Sequence, residues 1–278
     1  MKSQLLILLI LVSTHRLPAQ LTITPGSQFA AVGNIQLTLQ NTDLINNGNF
    51  ATGNSRTSFT GNVSSFISGS QPTQFFVVTV SKTNNTSVVL QQSIAVTERV
   101  LFSSGFLDLN SFNTDLGTTG RLENEQEASR IIGENGGQVL FATMLNAPAG
   151  ANPGNLGAII SSTQNLGDVI IQRGHEAQVN GVGLASSILR YYDILPANNT
   201  DLNATLRLNY FDEELNNINE NSLVLFKTDD GINWSNQQFT SRDANTNFVE
   251  KTGIGSFSRW TLSNDNNALP VRFILFNV

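Results

Sequence analysis

Thr38-Leu39-Gln40-Asn41-Thr42-Asp43-Leu44 and, further on, Leu107-Asp108-Leu109-Asn110-Ser111-Phe112-Asn113-Thr114-Asp115-Leu116 decide the fold. In both, apolar residues alternate with polar ones and an Asn interrupts the run. Alternation is the period of a strand, and Asn tolerates the positive φ of a sharp corner. Gly-anchored turns at Asn47-Gly48-Asn49-Phe50 and Ser104-Gly105-Phe106-Leu107 have the same character. Strand, corner and strand in so few residues suit a coiled solenoid of parallel strands, roughly 20 residues per turn. The expectation for residues 20–128 is a short parallel β-helix, with an irregular sandwich as the competing arrangement because no exact period emerges.

The rest of the chain reads the same way in class and differently in texture. No long amphipathic helix is visible, and apolar blocks of strand length recur. They include Ile35-Leu37-Leu39, Phe75 to Val80, Val88-Val89-Leu90, Val100-Leu101-Phe102, Val139-Leu140-Phe141, Val169-Ile170-Ile171 and Leu223 to Phe226. Most are bounded by Asn, Gly, Ser or Asp, so the fold class is all-β. From Gln138 to about Leu262 the blocks recur more steadily, with Gly- and Asn-rich turns, which predicts an antiparallel β-sandwich over 129–263. Tyr191, Tyr192, Tyr210, Phe211, Phe226, Trp234, Phe239, Phe248, Phe257 and Trp260 are expected to form its core. Leu122 to Gly137 is the most charged stretch and the natural boundary, holding one helical turn or capping the solenoid.

The two ends have their own signatures. Lys2, the apolar run Leu5 to Val12, and Leu17-Pro18-Ala19 read as a signal peptide over 1–19, with cleavage before Gln20. The run is too short to span a bilayer, which needs roughly 20 apolar residues. The expected address is therefore secreted or cell-surface. Residues 264–278 read as a polar linker followed by an apolar strand, Leu269 to Val278, that would open a truncated further module.

Composition narrows the function. Without the leader the chain carries 13 Lys and Arg against 21 Asp and Glu, a net charge of −8. That disfavours nucleic acid and anionic membranes, which need clustered cations. Zero Cys removes thiol nucleophiles, zinc–thiolate sites and iron–sulfur clusters, and His175 is the one histidine left, so no cofactor and no metal are expected.

Few motifs suggest chemistry. Gln172-Arg173-Gly174-His175-Glu176 is the one unusual polar string. Arg173, His175 and Glu176 are the candidate binding residues, set against a plain hairpin tip with Arg and Glu paired on it. Asp212-Glu213-Glu214 reads as a solvated turn, with Ca²⁺ binding the less favoured reading. Glu123, Glu125, Glu127 and Glu134 are available carboxylates, but nothing marks a pair for glycoside hydrolysis, and no catalytic residue is assigned. Asp229-Asp230-Gly231-Ile232-Asn233-Trp234 is similar to an Asp-box hairpin, in which Asp229 would hold the turn and Trp234 would pack beneath.

Three further segments carry a likeness to a group of proteins: Asn152 to Ala158 with Arg173-Gly174-His175; Ile188 to Pro196 with Leu206 to Leu215; and Ala268 to Phe276. Together they make the chain from about Leu101 onward resemble the large secreted or surface-displayed β-proteins of Bacteroidetes. Such proteins often end in a type IX sorting domain, which this sequence does not show. The resemblance specifies a style of protein and no activity. It implies an exported, non-enzymatic, structural or adhesion-like module, with an extracellular glycan or a surface protein as partner. A glycan-binding module is the alternative, and a carbohydrate-active enzyme the third reading. Coplanar Trp or Tyr on the surface would favour the glycan reading, and buried aromatics the structural one.

Overall fold

The computed structural model describes residues 19–265; the expected 1–19 leader, apart from Ala19, and the apolar stretch 269–278 lie outside them. Strands dominate, and the helical elements among the described residues are three single 3-10 turns at Pro153–Asn155, Asp212–Glu214 and Glu220–Ser222. The chain is all-β and its first half is solenoid-like.

Six coils follow one another. The first is β1 (Ala19–Ile23), β2 (Gln28–Ala30) and β3 (Gln36–Gln40); the second is β4 (Thr42–Asn46), β5 (Asn49–Ala51) and β6 (Arg56–Gly61). Coil three is β7 (Ser65–Gly69) and β8 (Thr73–Lys82), and coil four is β9 (Ser87–Leu90) and β10 (Ile94–Ser104). Coil five holds β11 (Phe106–Asp108), β12 (Thr114–Asp115) and β13 (Arg121–Glu123), and coil six β14 (Ile131–Ile132) and β15 (Gln138–Asn146). One parallel sheet runs β1-β4-β7-β9-β11-β14, and a second begins β3-β6-β8-β10-β12-β15. Thr38 to Leu44 thus spans β3, a corner at Asn41 with φ 48°, and β4.

The coils differ in length. Leu44 lies opposite Ile67, 23 residues on, Ser87 opposite Phe106, 19 on, and Thr114 opposite Val139, 25 on. The inward rows keep register while the corners absorb the difference, so no fixed period is visible in the sequence. Leu44, Ile67 and Leu90 stack fully buried in one row, and Val88, Leu107 and Ile131 in another. Burial of each such side chain contributes about 1.5–3 kcal/mol. Corners need residues that tolerate positive φ: of fifteen non-glycine residues with positive φ among the described residues, eleven are Asn. This accounts for part of the abundance of Asn in the sequence. Gly69 at φ 132° is obligatory, because a Cβ there would meet the Asn46 carbonyl oxygen at 2.0 Å.

β15 is where the fold changes. One edge pairs parallel with β12, and the other pairs antiparallel with β17 (Asn165–Gly174). The same sheet continues antiparallel through β20 (Tyr191–Pro196), β26 (Arg259–Asn264), β22 (Leu223–Thr228) and β23 (Ser235–Gln238). A separate antiparallel sheet holds β16 (Ala158–Ser161), β21 (Ala204–Asn209), β25 (Phe248–Ile254) and β24 (Ser241–Asp243). A small hairpin, β18 (Val179–Gly181) with β19 (Leu184–Ser186), leaves the end of β17. One hydrophobic cluster runs from Ile23 to Leu262, so the expected boundary at 128/129 is crossed by a sheet and by the core.

Several local expectations are corrected. Leu122 to Gly137 forms no helical turn; it supplies β13, a bridge between Gln126 and Ser129, and β14. Trp234 and Trp260 are buried as expected, but Phe211 and Phe248 are only partly buried and Phe239 is exposed. Each of these three rings lies under a guanidinium: Arg190 over Phe211, Arg207 over Phe248 and Arg242 over Phe239. In the Asp-box-like turn the holding carboxylate is Asp230, which accepts N–H bonds from Ile232 and Asn233, while Asp229 is exposed beside Lys227. Trp234 packs with Leu184, Val224 and Phe226, as that motif requires.

Candidate functional site

β17 ends by burying its own polar residues. Arg173 is opposite Tyr192 on β20 and 1% exposed, and His175, just past the strand, is 3% exposed. The hairpin-tip reading is therefore corrected. Arg173 pairs with Glu125 and not Glu176, donating from Nη1 (2.9 Å) and Nη2 (2.7 Å) to the two carboxylate oxygens. Glu176 is half-buried and turns away, its Oε2 3.7 Å from the place a Cβ on Gly136 would take. The structure brings Arg173 and His175 together and leaves Glu176 apart.

The partners come from three other segments. Glu125 belongs to the charged stretch after β13 and also accepts the Ile131 N–H at 3.0 Å. Arg190 leads into β20 and donates to Glu214 Oε1 at 2.7 Å. Glu214 ends the turn Asp212–Glu214 and is 2% exposed, so the solvated-turn reading holds for Asp212 and Glu213 and fails for Glu214. Glu127 caps that turn by accepting the N–H groups of Asp212 and Glu213. Arg130 lies 3.9 Å from Glu214 Oε1 and donates to the Glu127 carbonyl.

Protonation follows from these contacts. Arg173 Nε donates to His175 Nε2 at 3.0 Å, so Nε2 is the acceptor and the ring proton sits on Nδ1, 3.5 Å from Glu214 Oε1. Burial and the adjacent Arg173 cation hold His175 down at about 4, so it is neutral. Burial pushes the Glu214 carboxyl up, but Arg190 and the His175 hydrogen bond outweigh it and hold the group at about 2. Glu125 is likewise raised by burial and lowered, on balance, by Arg173. The Arg190 guanidinium loses by burial and gains more from Glu214, so it stays charged.

Chemically the cluster is a closed clasp. The His175 Nε2 lone pair is occupied by Arg173, so it is no free base. Both carboxylates are ionised and paired, the opposite of a raised general acid. One small cleft of ≈ 150 Å³ reaches Arg130, His175 and Glu214. Among the described residues no group of three or more His, Asp or Glu side chains is placed to hold a metal ion. The arginines also serve the backbone: Arg173 donates to the Leu156 carbonyl and Arg190 to the Asn209 carbonyl. Sequence reasoning missed Arg190, Arg130 and the depth of Glu214. The available signal was Arg190 between Ile188-Leu189 and Tyr191-Tyr192, an apolar setting in which a charge requires a partner.

The fold and clasp define the class of object: an all-β protein in which a parallel solenoid passes through one shared sheet into an antiparallel end. No family model, no curated protein and no solved structure matches the chain.

Proposed function

We propose that this chain is an exported, non-enzymatic β-protein, a structural or adhesion-like module of the Bacteroidetes secreted or surface type. One observation carries the reading: both Trp and all three Tyr of the sequence are buried, the most exposed being Trp234 at 8%. Sugar platforms use exposed, coplanar rings, and these rings instead fill the core. The alternative of a Trp or Tyr sugar platform loses its support, and the paired, ionised carboxylates of the clasp speak against the hydrolase reading. We further infer that the four-stranded sheet and the antiparallel end of the long sheet pack as a sandwich. Ile160, Leu206 and Val249 of the first share a cluster with Ile171, Ile194 and Trp260 of the second.

The test is cellular and chemical. Fractionation of the producing cells should find the protein beyond the inner membrane with Gln20 as its first residue. The purified protein should release no reducing sugar from a panel of polysaccharides. Cytoplasmic retention with Met1 intact would end the export reading, and turnover of any polysaccharide would end the non-enzymatic one.

A further inference from the structure

A groove of ≈ 820 Å³ crosses four successive coils on one side of the solenoid. Its walls come from the β2–β3 segment, from the β5–β6 segment, from β8 and from β10. It therefore runs across the strands, along the solenoid axis, where neighbouring strands repeat at about 4.8 Å. That shape fits an extended chain lying along the axis.

The lining has a definite chemistry. Arg56 lies opposite Val77, Val77 opposite Arg99, and Arg99 opposite Arg121, so three arginines share one register row, of which Arg56 and Arg99 line the groove and Arg121 lies one coil beyond it. This chain has few cations to place, and a row of three is a concentration. Glu98 and Glu123 neutralise two of them: Arg121 is 3.3 Å from Glu98 and 3.2 Å from Glu123, and Arg99 is 3.5 Å from Glu123. Arg56 is the surplus charge: it is exposed, and its guanidinium has no hydrogen-bond or ion-pair partner among the described residues. Asn34 and Asn54 bring exposed amides to the same groove, and Phe76 brings a half-buried ring.

We propose that this groove binds an extended acidic oligosaccharide, with Arg56 taking a sugar carboxylate. Amides hydrogen-bond hydroxyl groups, a phenyl ring covers the C–H face of a pyranose, and a guanidinium matches a carboxylate bidentately. One surplus cation is too few for a nucleic-acid backbone, whose affinity comes from several neutralised phosphates. The site depends on the groove alone, so it stands or falls separately from the export reading.

Isothermal titration of the purified full chain with hexagalacturonate, and with cellohexaose as the neutral arm, tests it. Hexagalacturonate should bind at least ten-fold more tightly than cellohexaose, and added salt should weaken it. R56Q should lose at least ten-fold for hexagalacturonate with its melting temperature unchanged, because the Arg56 guanidinium makes no hydrogen bond or ion pair with the described residues and the strand backbone is kept. E98Q, which removes a carboxylate from the groove wall beside Arg99, should bind several-fold more tightly. Equal binding of the two sugars, no heat from hexagalacturonate, an R56Q protein that keeps the parent affinity, or a weaker E98Q complex would each overturn the proposal.

Discussion

The solenoid and the antiparallel end place their ion pairs differently. In the solenoid the ion pairs of Arg99 and Arg121 with Glu98 and Glu123 stay on the outer face, their side chains 20–38% exposed. Its interior rows are mostly apolar, and a buried cation among them, Lys82, is held by neutral groups, donating to the Thr60 carbonyl and the Ser65 hydroxyl. In the antiparallel end Arg173, Arg190 and Glu214 are among the most buried groups of the molecule. The reason is backbone accounting. A regular coil satisfies its N–H and C=O groups on the coils above and below it. Where β15 turns the sheet from parallel to antiparallel, irregular segments meet, and carbonyls such as those of Leu156 and Asn209 have no ladder partner. Arginines reach them, Tyr192 adds its hydroxyl to Leu156 at 2.7 Å, and the carboxylates then balance the buried cations.

The difference between the halves rests most directly on Arg190. Arg190→Met leaves Glu214 buried with its main partner gone, and should cost about 3–5 kcal/mol in urea unfolding. A loss under about 1 kcal/mol would mean that the clasp is not a unit. Trp260→Ala should fall in the same range, about 3–5 kcal/mol, from the cavity it leaves in the shared core.

Ile67→Ala, in the solenoid row, should cost about 2–5 kcal/mol. Because sheet and core pass through β15 without a break, that loss and the one at Trp260 should lower the same cooperative transition, seen identically by Trp fluorescence and far-ultraviolet dichroism. Two separate transitions, with Ile67→Ala moving only one, would show that the halves fold independently.

Acid should act on the clasp and spare the solenoid rows. His175 is depressed to about 4 in the folded protein, so the unfolded chain binds its proton first, and stability falls as pH drops from about 6.5 to about 4. The depressed Glu214 contributes stability above its ordinary carboxylate range, and this is lost as pH falls toward about 2. The His175 part is on the order of 3 kcal/mol. His175→Gln should flatten the profile between pH 6.5 and 4, and an unchanged slope in that variant would assign the acid sensitivity elsewhere.

The smallest effect is expected on the outer face. Arg99→Met removes a partly exposed pair and should change stability by less than about 1 kcal/mol. A cost comparable to that of Arg190→Met would erase the distinction between the halves.

Much of the architecture was legible because it is local. Alternating blocks such as Phe75 to Val80 and Val169 to Ile171 are strands, and the Asn and Gly corners are corners, since period and permitted φ depend on a few neighbouring residues. The solenoid was legible from its corner segments and obscured by coils of 19 to 25 residues, because parallel register fixes the inward rows and leaves corner length free. The candidate site was half legible. Arg173 and His175 were visible as an odd polar string, but their partners lie 48 residues back at Glu125 and beyond Arg190 at Glu214. Equally, Asp230 rather than Asp229 holds its turn because hydrogen-bond direction depends on the turn's final geometry.

By itself, then, the sequence determined strand class, corner chemistry, the lack of thiol chemistry and the burial of both tryptophans, all of which follow from residue type and short-range spacing. Only the tertiary structure decided that one sheet joins the halves, that Glu214 is a buried counter-ion and not a solvated one, and that three arginines from three coils share a row. Those facts depend on which distant strands become neighbours, and neighbouring is set by the register of the whole sheet and by the burial that register imposes.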